Sequence, residues 1–227
     1  MQERCYRCFR PLINCFCPRI VPIETNVKFV FLLHPKEAYH QKTGTGRLAA
    51  LSLSGAEIIV GIDFTENTRV RELTSGRNGN EGYGDGAGYY PVVLYPSADS
   101  LSADSPALRT ALGERKLLVI VIDATWFFAR KMLKASANLT SLPTVSFRAE
   151  YRSVFEIKRQ PSPECLSTIE SAHYLIRELK AAGIANPEAD ESGLMRVFRE
   201  MVRYQLAREQ ERHEAEAAAL YPELFDS

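Results

Sequence analysis

Lys116–Met132, with the sequence KLLVIVIDATWFFARKM, is the stretch that decides the fold. Within it, Leu117–Ile122 are six consecutive apolar and mostly β-branched residues. A run this short and uniform is typical of a strand buried on both faces, as in a parallel sheet. Asp123 follows the run, and Thr125–Leu133 then has the composition of a helix. Because open α/β sheets bind ligands at the carboxyl ends of their central strands, Asp123 is a candidate functional residue; the alternative is that it caps the helix.

The composition predicts one soluble α/β domain with a small appendage, since the chain has 227 residues, 45% hydrophobic and 25% charged. The formal net charge is zero, so any polyanionic partner must be bound by a local basic surface. No apolar run approaches the ~18 residues of a membrane span. The amino terminus, MQERC, lacks the apolar core of a signal peptide. We therefore expect a cytoplasmic protein with reduced thiols.

A cluster of cysteines near the amino terminus predicts a metal site. Cys5, Cys8, Cys15 and Cys17 form a C-x2-C-x6-C-x-C pattern. Two disulfides in so short a segment are improbable in a reducing compartment, whereas four thiolates suit tetrahedral Zn²⁺. The spacing of Cys15 and Cys17 turns both sulfurs to one side of an extended strand. We predict a structural zinc knuckle.

The main competitor for these thiolates is an iron–sulfur cluster. A catalytic zinc is disfavoured because four thiolates leave no open coordination position. Zinc with four thiolates carries about two net negative charges, and Arg7, Arg10 and Arg19 lie near enough in sequence to offset them. The knuckle is expected to keep the amino terminus folded, and whether it also contacts a partner stays open.

The main domain begins with a βαβ pattern. Val27–Leu33 and Glu57–Val60 are predicted strands, with a helix starting at Leu48–Leu53 between them. Such a crossover should be right-handed. Pro91–Tyr95 and Pro143–Phe147 are predicted as further strands.

Three further parts of the sequence are candidates for a functional site. Thr43–Arg47 can offer backbone N–H groups to an anion, but it lacks the Gly-Lys-Ser/Thr of a P-loop, which disfavours nucleotide hydrolysis. His34 is a possible general base, although a lone His before Pro is more often structural. The glycine-rich residues 75–90 do not match a dinucleotide fingerprint and are predicted to form a surface loop.

Two helices are predicted towards the carboxyl end. Cys165–Leu179 has apolar residues near a 3.6-residue spacing, which favours packing for His173, and a nucleophilic role for Cys165 is disfavoured. Glu191–Ala218 is apolar on one face as far as Leu206 and charged on all sides beyond it. Its first half should pack on the domain, while its second half projects into solvent or contacts a partner.

Five segments, in this order, resemble the DTW-domain family, and specifically its bacterial tRNA-uridine aminocarboxypropyltransferases. They are the four-cysteine knuckle, His34-Pro35-x-Glu37 with Thr45-Gly46-Arg47, Tyr95-Pro96-Ser97, Asp123-Ala124-Thr125-Trp126, and Leu166-Ser167-Thr168-Ile169-Glu170. The Asp-x-Thr-Trp segment alone is short, but together the five cover nearly the whole chain.

The resemblance implies an S-adenosylmethionine-binding fold similar to the SPOUT RNA methyltransferases, with a deep trefoil knot that periodicity alone does not predict. The fold expected is therefore α/β: a SPOUT-like knotted parallel-sheet domain with an N-terminal four-cysteine zinc knuckle (residues 1–22) and a long C-terminal helix (within residues 23–227). The reaction implied is transfer of the 3-amino-3-carboxypropyl group to N3 of a tRNA uridine, with the variable loop as the expected position, and with release of methylthioadenosine.

The resemblance also assigns roles to residues. Asp123 is the carboxylate that the motif offers as a base for the weakly acidic N3–H of uracil. The residues expected to bind S-adenosylmethionine are Tyr95, Pro96, Ser97, Thr125, Trp126, Leu166, Ser167, Thr168 and Glu170. Alternatively, Glu170 is an exposed helix residue, and Trp126 anchors its helix in the core, which its neighbours Phe127 and Phe128 slightly favour.

Basic residues that flank the expected cleft are the candidates for tRNA contacts, since phosphate binding needs little more than local positive charge. They are Arg47, Arg130, Lys131, Lys134, Arg148, Arg152, Lys158 and Arg159. The acceptor uridine should be presented from a loop, as RNA sites usually are. No membrane association and no obligate protein partner are expected. The alternatives are a SPOUT-like RNA methyltransferase with the same cofactor and a non-enzymatic zinc-ribbon RNA-binding protein.

Overall fold

Five parallel strands form the centre of the protein, seen in a computed structural model that describes residues 3–40, 44–75, 88–157, 162 and 164–220. The strands are β1 (Lys28–Leu33), β2 (Glu57–Val60), β3 (Tyr89–Leu94), β4 (Lys116–Asp123) and β5 (Thr144–Val145). Their order in the sheet is β2-β1-β4-β3-β5, and every pairing is parallel. The prediction of a parallel α/β sheet centred on Leu117–Ile122 is confirmed.

Eight helices are described in the same part of the chain. They are α1 (Pro35–His40), α2 (Thr45–Ser52), α3 (Thr68–Thr74), α4 (Pro106–Leu112), α5 (Trp126–Ala135), α6 (Ala137–Thr140), α7 (Thr168–Ala181) and α8 (Ser192–Leu220). The sequence predicted α2, α5, α7 and α8 within a few residues of these bounds. It did not predict α1, α3 or α4, which are short, and a short helix shows too few turns for its periodicity to be recognised.

Both faces of the sheet are covered, because successive side chains of a strand point to opposite sides. From β4, Leu117, Val119 and Val121 pack on the side of α2, α4, α7 and α8. Leu118 and Ile120 pack on the opposite side, against α3, α5 and α6. The uniform apolar run of β4 thus reflects burial on two faces, and Asp123, two residues after Val121, shares the side of α2 and α7.

The cysteine knuckle packs against α8 rather than standing apart from the domain. Phe16 is buried in the core, and its ring meets that of Tyr204 edge-on with the centroids 6.3 Å apart. Arg19 forms an ion pair with Glu200 of the same helix at 3.3 Å. Phe16 and Arg19 therefore attach the knuckle to the final helix.

The long final helix changes character along its length, as predicted. Leu194, Phe198 and Met201 are fully buried in the core. From Leu206 to residue 216 the helix is exposed on all sides, and within the described residues no helix is long and apolar enough to cross a membrane. The glycine-rich loop predicted at residues 75–90 lies almost entirely outside the described residues.

Candidate functional site

Asp123 is the last residue of β4 and lies at the carboxyl edge of the sheet, in register with Leu33 of β1. Its side chain is only 6% exposed. The hydroxyl of Thr168, the first residue of α7, donates a hydrogen bond to its Oδ1 at 2.5 Å. Asp123 does not cap α5, because the residue at that helix start is Thr125.

A glycine allows α2 to approach this carboxylate. A Cβ atom built on Gly46 would lie closer than 3.0 Å to Oδ2, Cγ and Cβ of Asp123. The next residue, Arg47, is half-buried. Burial lowers the pKa of its guanidinium, and the charges of Tyr39 and Asp123 oppose that effect. The site therefore combines a held carboxylate with a neighbouring cation.

On one side of this pair lies a cavity of about 380 Å³, which we call the strand-end cavity. It is bounded by the ends of β3 and β4, the start of α5, residues 146–147 and residues 164–171. Of the nine residues predicted to bind the cofactor, those that line it are Tyr95, Pro96, Trp126, Leu166 and Thr168. These residues are far apart in sequence, and the sheet brings them together.

The remaining predicted cofactor residues do not line the strand-end cavity. The Ser97 hydroxyl is hydrogen-bonded to that of Thr144 at 2.7 Å, and Thr125 is at the start of α5. Ser167 and Glu170 form a capping box at the start of α7.

Glu170 is completely buried and satisfied by protein donors. Its carboxylate accepts hydrogen bonds from the backbone N–H of Val154 at 2.7 Å and of Ser167 at 2.8 Å, and from the hydroxyls of Ser153 and Ser167. The alternative interpretation, that Glu170 is an exposed helix residue, is therefore wrong. In this structure it holds the segment 153–154 against the start of α7.

Trp126 is not packed in the core, although its neighbours Phe127 and Phe128 favoured that interpretation, and Phe127 is exposed as well. The side chains of Trp126 and Phe127 are 39% and 54% exposed, while the buried residues of α5 are Ala129 and Met132. Trp126 and Tyr95 both line the strand-end cavity, and the centroids of their rings are 6.2 Å apart. Trp126 is thus available to a ligand.

Asp123 itself lines a larger cavity of about 830 Å³, which we call the knuckle cavity. Its walls are the cysteine knuckle, α1, the start of α2 and the middle of α8, and Asp123 and Leu33 are part of its lining. No local sequence pattern predicts this cavity, because its lining comes from distant segments that range from Arg4 to Arg208.

His34, the possible general base, is buried behind the carboxylate. Its Nδ1 accepts a hydrogen bond from the backbone N–H of Lys36 at 3.2 Å, and its ring stacks on Phe128 with the centroids 4.3 Å apart. Burial, followed by the charge of Lys36, lowers its pKa. These contacts favour the structural role for His34.

The predicted tRNA-contacting residues lie on two sides of the site. Arg130, Lys131 and Lys134 are exposed along α5, and the Lys131 ammonium lies 4.3 Å from the Phe127 ring centroid. Further along the chain, Arg148 is exposed but paired with Asp104, and Arg152 is exposed. Lys158 and Arg159 lie outside the described residues.

The four cysteines of the knuckle converge on one point, with all four sulfur atoms within 4.8 Å of one another. The separations are 3.8 Å for Cys5 and Cys17 and 3.7 Å for Cys8 and Cys15. This arrangement can hold a metal ion. Backbone N–H groups of Cys8 and Arg7 lower the pKa of the Cys5 thiol to about 6, whereas burial raises the pKa of the Cys15 and Cys17 thiols. A metal binds the thiolate form of these side chains.

Comparison with known proteins identifies the family. The family model of the DTW domain matches residues 2–206, which is nearly the whole chain. The chain belongs to the DTW domain family. No solved structure matches it at a significant level.

Several relatives of this DTW protein are named tRNA-uridine aminocarboxypropyltransferases. Type 2 of Drosophila melanogaster is 26% identical over 209 residues, covering 90% of this chain and 76% of the relative. Type A of Arabidopsis thaliana is 29% identical, with 90% and 81% covered. Type 2 of Mus musculus is 26% identical, with 75% and 54% covered.

Sequence reasoning missed several residues of the strand-end cavity in this DTW domain. Phe147 and Ser146 end the predicted strand after Pro143, and Glu164 follows a proline-rich break. Glu164 is the acidic residue of the lining, and a hydrogen bond from Ser162 lowers its pKa. A carboxylate beside a proline break gives no sequence signal of its own, so the fold was needed to find it.

The close approach of α2 to the carboxylate predicts a specific coupling. Gly46→Ala should destabilise the protein by about 1–3 kcal/mol, because the new methyl group overpacks against Asp123. In Gly46→Ala/Asp123→Ala the colliding Cγ and Oδ2 are absent, so the two changes should cost less together than the sum of their separate effects. Urea unfolding of the four proteins measures this double-mutant cycle. Additive costs would contradict the proximity of the two side chains.

Proposed function

We propose that the protein transfers the 3-amino-3-carboxypropyl group of S-adenosylmethionine to N3 of a uridine in tRNA, with methylthioadenosine as the second product. The observation that carries the proposal is the position of Asp123 between two cavities: it lines the knuckle cavity, and its hydrogen-bond partner Thr168 lines the strand-end cavity. The names of the relatives, and the extent of the DTW domain, support the same reaction.

The strand-end cavity suits S-adenosylmethionine in size and lining. A volume of about 380 Å³ falls within the range of small-molecule sites. The aromatic rings of Tyr95, Trp126 and Phe147 and the apolar Leu166 can enclose an adenine ring. Glu164 supplies the carboxylate for ribose hydroxyls or the ammonium group. We assign Glu170, Ser167, Ser97 and Thr125 to positioning these walls.

Asp123 acts as the general base. The N3–H of uracil is a weak acid, and removal of its proton makes N3 a strong nucleophile. The co-substrate supplies the electrophile, because its sulfonium makes the γ-carbon reactive and the sulfur keeps the electron pair of the broken bond in methylthioadenosine. The proton from N3 goes to the Asp123 carboxylate.

The surroundings of Asp123 prepare it for this step. The Thr168 hydroxyl fixes the orientation of the carboxylate, and the absence of a side chain at Gly46 leaves room for it beside α2. Deprotonation of uracil spreads negative charge onto its two carbonyl oxygens, and the neighbouring Arg47 guanidinium can stabilise that charge. Most of the rate enhancement then comes from positioning, since the sulfonium is already a good leaving group.

The tRNA contacts a basic surface around the site. Exposed Arg130, Lys131 and Lys134 on α5, together with Arg152, are suited to phosphate contacts. The acceptor uridine is one that a loop presents, with the variable loop as the favoured position. The cytoplasm, where tRNA is abundant and thiols stay reduced, is the proposed location.

For the fold we propose the trefoil knot of the SPOUT class. The central strand β4 lies between β1 and β3 in the sheet, although it follows both of them in the sequence. Such an insertion of a late segment between earlier ones is compatible with a threaded path.

For the knuckle we propose a structural Zn²⁺ held by Cys5, Cys8, Cys15 and Cys17. Four sulfurs at about 2.3 Å from a tetrahedral zinc lie about 3.8 Å apart, and the Cys5–Cys17 and Cys8–Cys15 sulfur separations are 3.8 Å and 3.7 Å. The turn after Cys8 places Phe9 in a left-handed conformation, with φ of 60°, and its N–H donates to the carbonyl of Cys5. The neighbouring Arg10 offsets the charge of the thiolates.

Incubation with labelled S-adenosylmethionine and total tRNA tests the reaction. The protein should add the aminocarboxypropyl group to uridine, and Asp123→Asn, which keeps the shape of the side chain, should transfer about 10²–10⁴-fold more slowly while it binds the cofactor normally. Mass analysis of the nucleosides is the readout. Addition of one methyl group instead, or no modification at all, would overturn the proposal, and a native rate in Asp123→Asn would overturn the general base.

A matched pair of variants tests the hydrogen bond that orients the base. Thr168→Val removes the donor to Asp123 Oδ1 with little change in shape and should slow transfer by about 10- to 100-fold. Thr168→Ser keeps a hydroxyl and should stay within a few-fold of the native rate. Steady-state kinetics should show the loss mainly in kcat. Equal activities for the two variants would mean that this bond does not orient the base.

Metal analysis tests the knuckle. The native protein should contain about one zinc per chain, and Cys15→Ser/Cys17→Ser should lose it and expose the amino-terminal segment to proteolysis. Cys165→Ser is the control, since Cys165 lies outside the cluster and its variant should retain zinc. Iron in place of zinc, or a native protein free of metal, would refute the assignment.

A further inference from the structure

The knuckle cavity adjoins the carboxylate of Asp123, whose hydrogen-bond partner Thr168 lines the strand-end cavity. Asp123 and Leu33 are part of its lining, and the cysteine knuckle and α8 contribute walls. In an in-line displacement the nucleophile approaches the reacting carbon from the side opposite the leaving group. If the strand-end cavity holds the sulfonium, the uridine must reach Asp123 from elsewhere, and the knuckle cavity is the opening that Asp123 itself lines.

The charges around the knuckle cavity match a nucleic-acid strand. Four arginines line it: Arg4, Arg10, Arg47 and Arg208. Against them stand two carboxylates, Asp123 and Glu37. Arg208 is exposed at the rim, where it pairs with Glu211 of the same helix. Arg4, Arg47 and Arg208 therefore bring guanidinium groups to this opening, as a phosphate-binding surface requires, whereas the buried Arg10 offsets the charge of the thiolates.

The cavity also offers aromatic rings to an unpaired base. Tyr39 of α1 and Phe9 of the knuckle line it, and both are partly exposed. Bases of single-stranded RNA are commonly held by stacking on such rings. With about 830 Å³, the cavity has room for a nucleotide and part of its flanking backbone.

We propose that the knuckle cavity receives the acceptor uridine and its flanking phosphates, so that the cysteine knuckle is one wall of the RNA site. This inference rests on the proposed function and adds the route of the RNA. Arg4 and Arg208 contact phosphates at the rim, Phe9 and Tyr39 flank the base, and the N3 edge faces Asp123 at the floor.

A direct contact links the knuckle to the catalytic end of the cavity. The Arg47 guanidinium carbon lies 4.0 Å from the centroid of the Phe9 ring. Arg47 follows Gly46, which packs on Asp123. The knuckle therefore positions the cation beside the base as well as forming a wall of the acceptor site.

Charge reversal at the rim tests the proposal. Arg4→Glu and Arg208→Glu should each weaken tRNA binding by about tenfold and reduce the salt dependence of binding by about one phosphate contact, because each removes a charge that meets the RNA. Affinity for S-adenosylmethionine should be unchanged. Fluorescence anisotropy with total tRNA at several salt concentrations, and calorimetry with the cofactor, are the measurements.

Arg71→Glu is the matched control. Arg208 and Arg71 are similarly exposed, at 54% and 60%, and each forms an ion pair with one glutamate. Arg71 lies on α3, which packs on the other face of the sheet. The control changes the net charge equally, so it should bind tRNA within about twofold of the native protein if the effect is local.

Cross-linking gives a second readout that does not depend on the variants. Transcribed tRNA that carries 4-thiouridine should cross-link to peptides that contain Phe9 or Tyr39. Cross-links confined to α5, or rim variants that bind tRNA as well as Arg71→Glu does, would overturn the inference while leaving transfer intact. A native protein that binds tRNA through this cavity but transfers nothing would instead refute the proposed function.

Discussion

The contact on which the site depends is the one between the carboxylate of Asp123 and the two helices that meet it. β4 delivers Asp123 to the sheet edge, α2 approaches through Gly46, and α7 donates the Thr168 hydroxyl. A buried carboxylate is costly unless it is hydrogen-bonded, so these three segments are held in one arrangement. That arrangement also sets the boundary between the two cavities, because each is bounded by one part of this junction.

A second, independent set of hydrogen bonds supports the wall of the strand-end cavity. Glu170 is fully buried and accepts backbone hydrogen bonds from the segment at Val154 and from Ser167. The segment that leads from Phe147 to Leu166 thus has a fixed attachment to the start of α7, next to Thr168. Glu170 belongs to a segment that the family resemblance assigns to cofactor binding. Its contacts give it an indirect role, because it holds residues 153–154 in place.

Much of this arrangement was predictable, for identifiable reasons. β4 is apolar throughout because both its faces are buried, and Asp123 is polar because it ends the strand, so the two signals reinforce each other. The cysteine spacing limits the metal geometry locally, within thirteen residues. By contrast, the burial of Glu170, the exposure of Trp126 and the knuckle cavity depend on contacts between distant segments. The order of residues along the chain does not show that Arg4 and Arg208 lie close together. The helices α1, α3 and α4 have only six or seven residues each, too few for a helical period to be recognised.

The left-handed backbone of Phe9 has a consequence for how such a knuckle can vary. Glycine adopts this conformation without strain, whereas a residue with a side chain costs about 1–2 kcal/mol. Here the turn instead holds a phenylalanine whose ring supports a guanidinium 4.0 Å away. A glycine at this position would relax the metal-binding turn and at the same time leave Arg47 without its aromatic platform. The same substitution would thus lower the strain of the turn and weaken the positioning of Arg47. The residue at this turn therefore affects both the folding of the knuckle and the site.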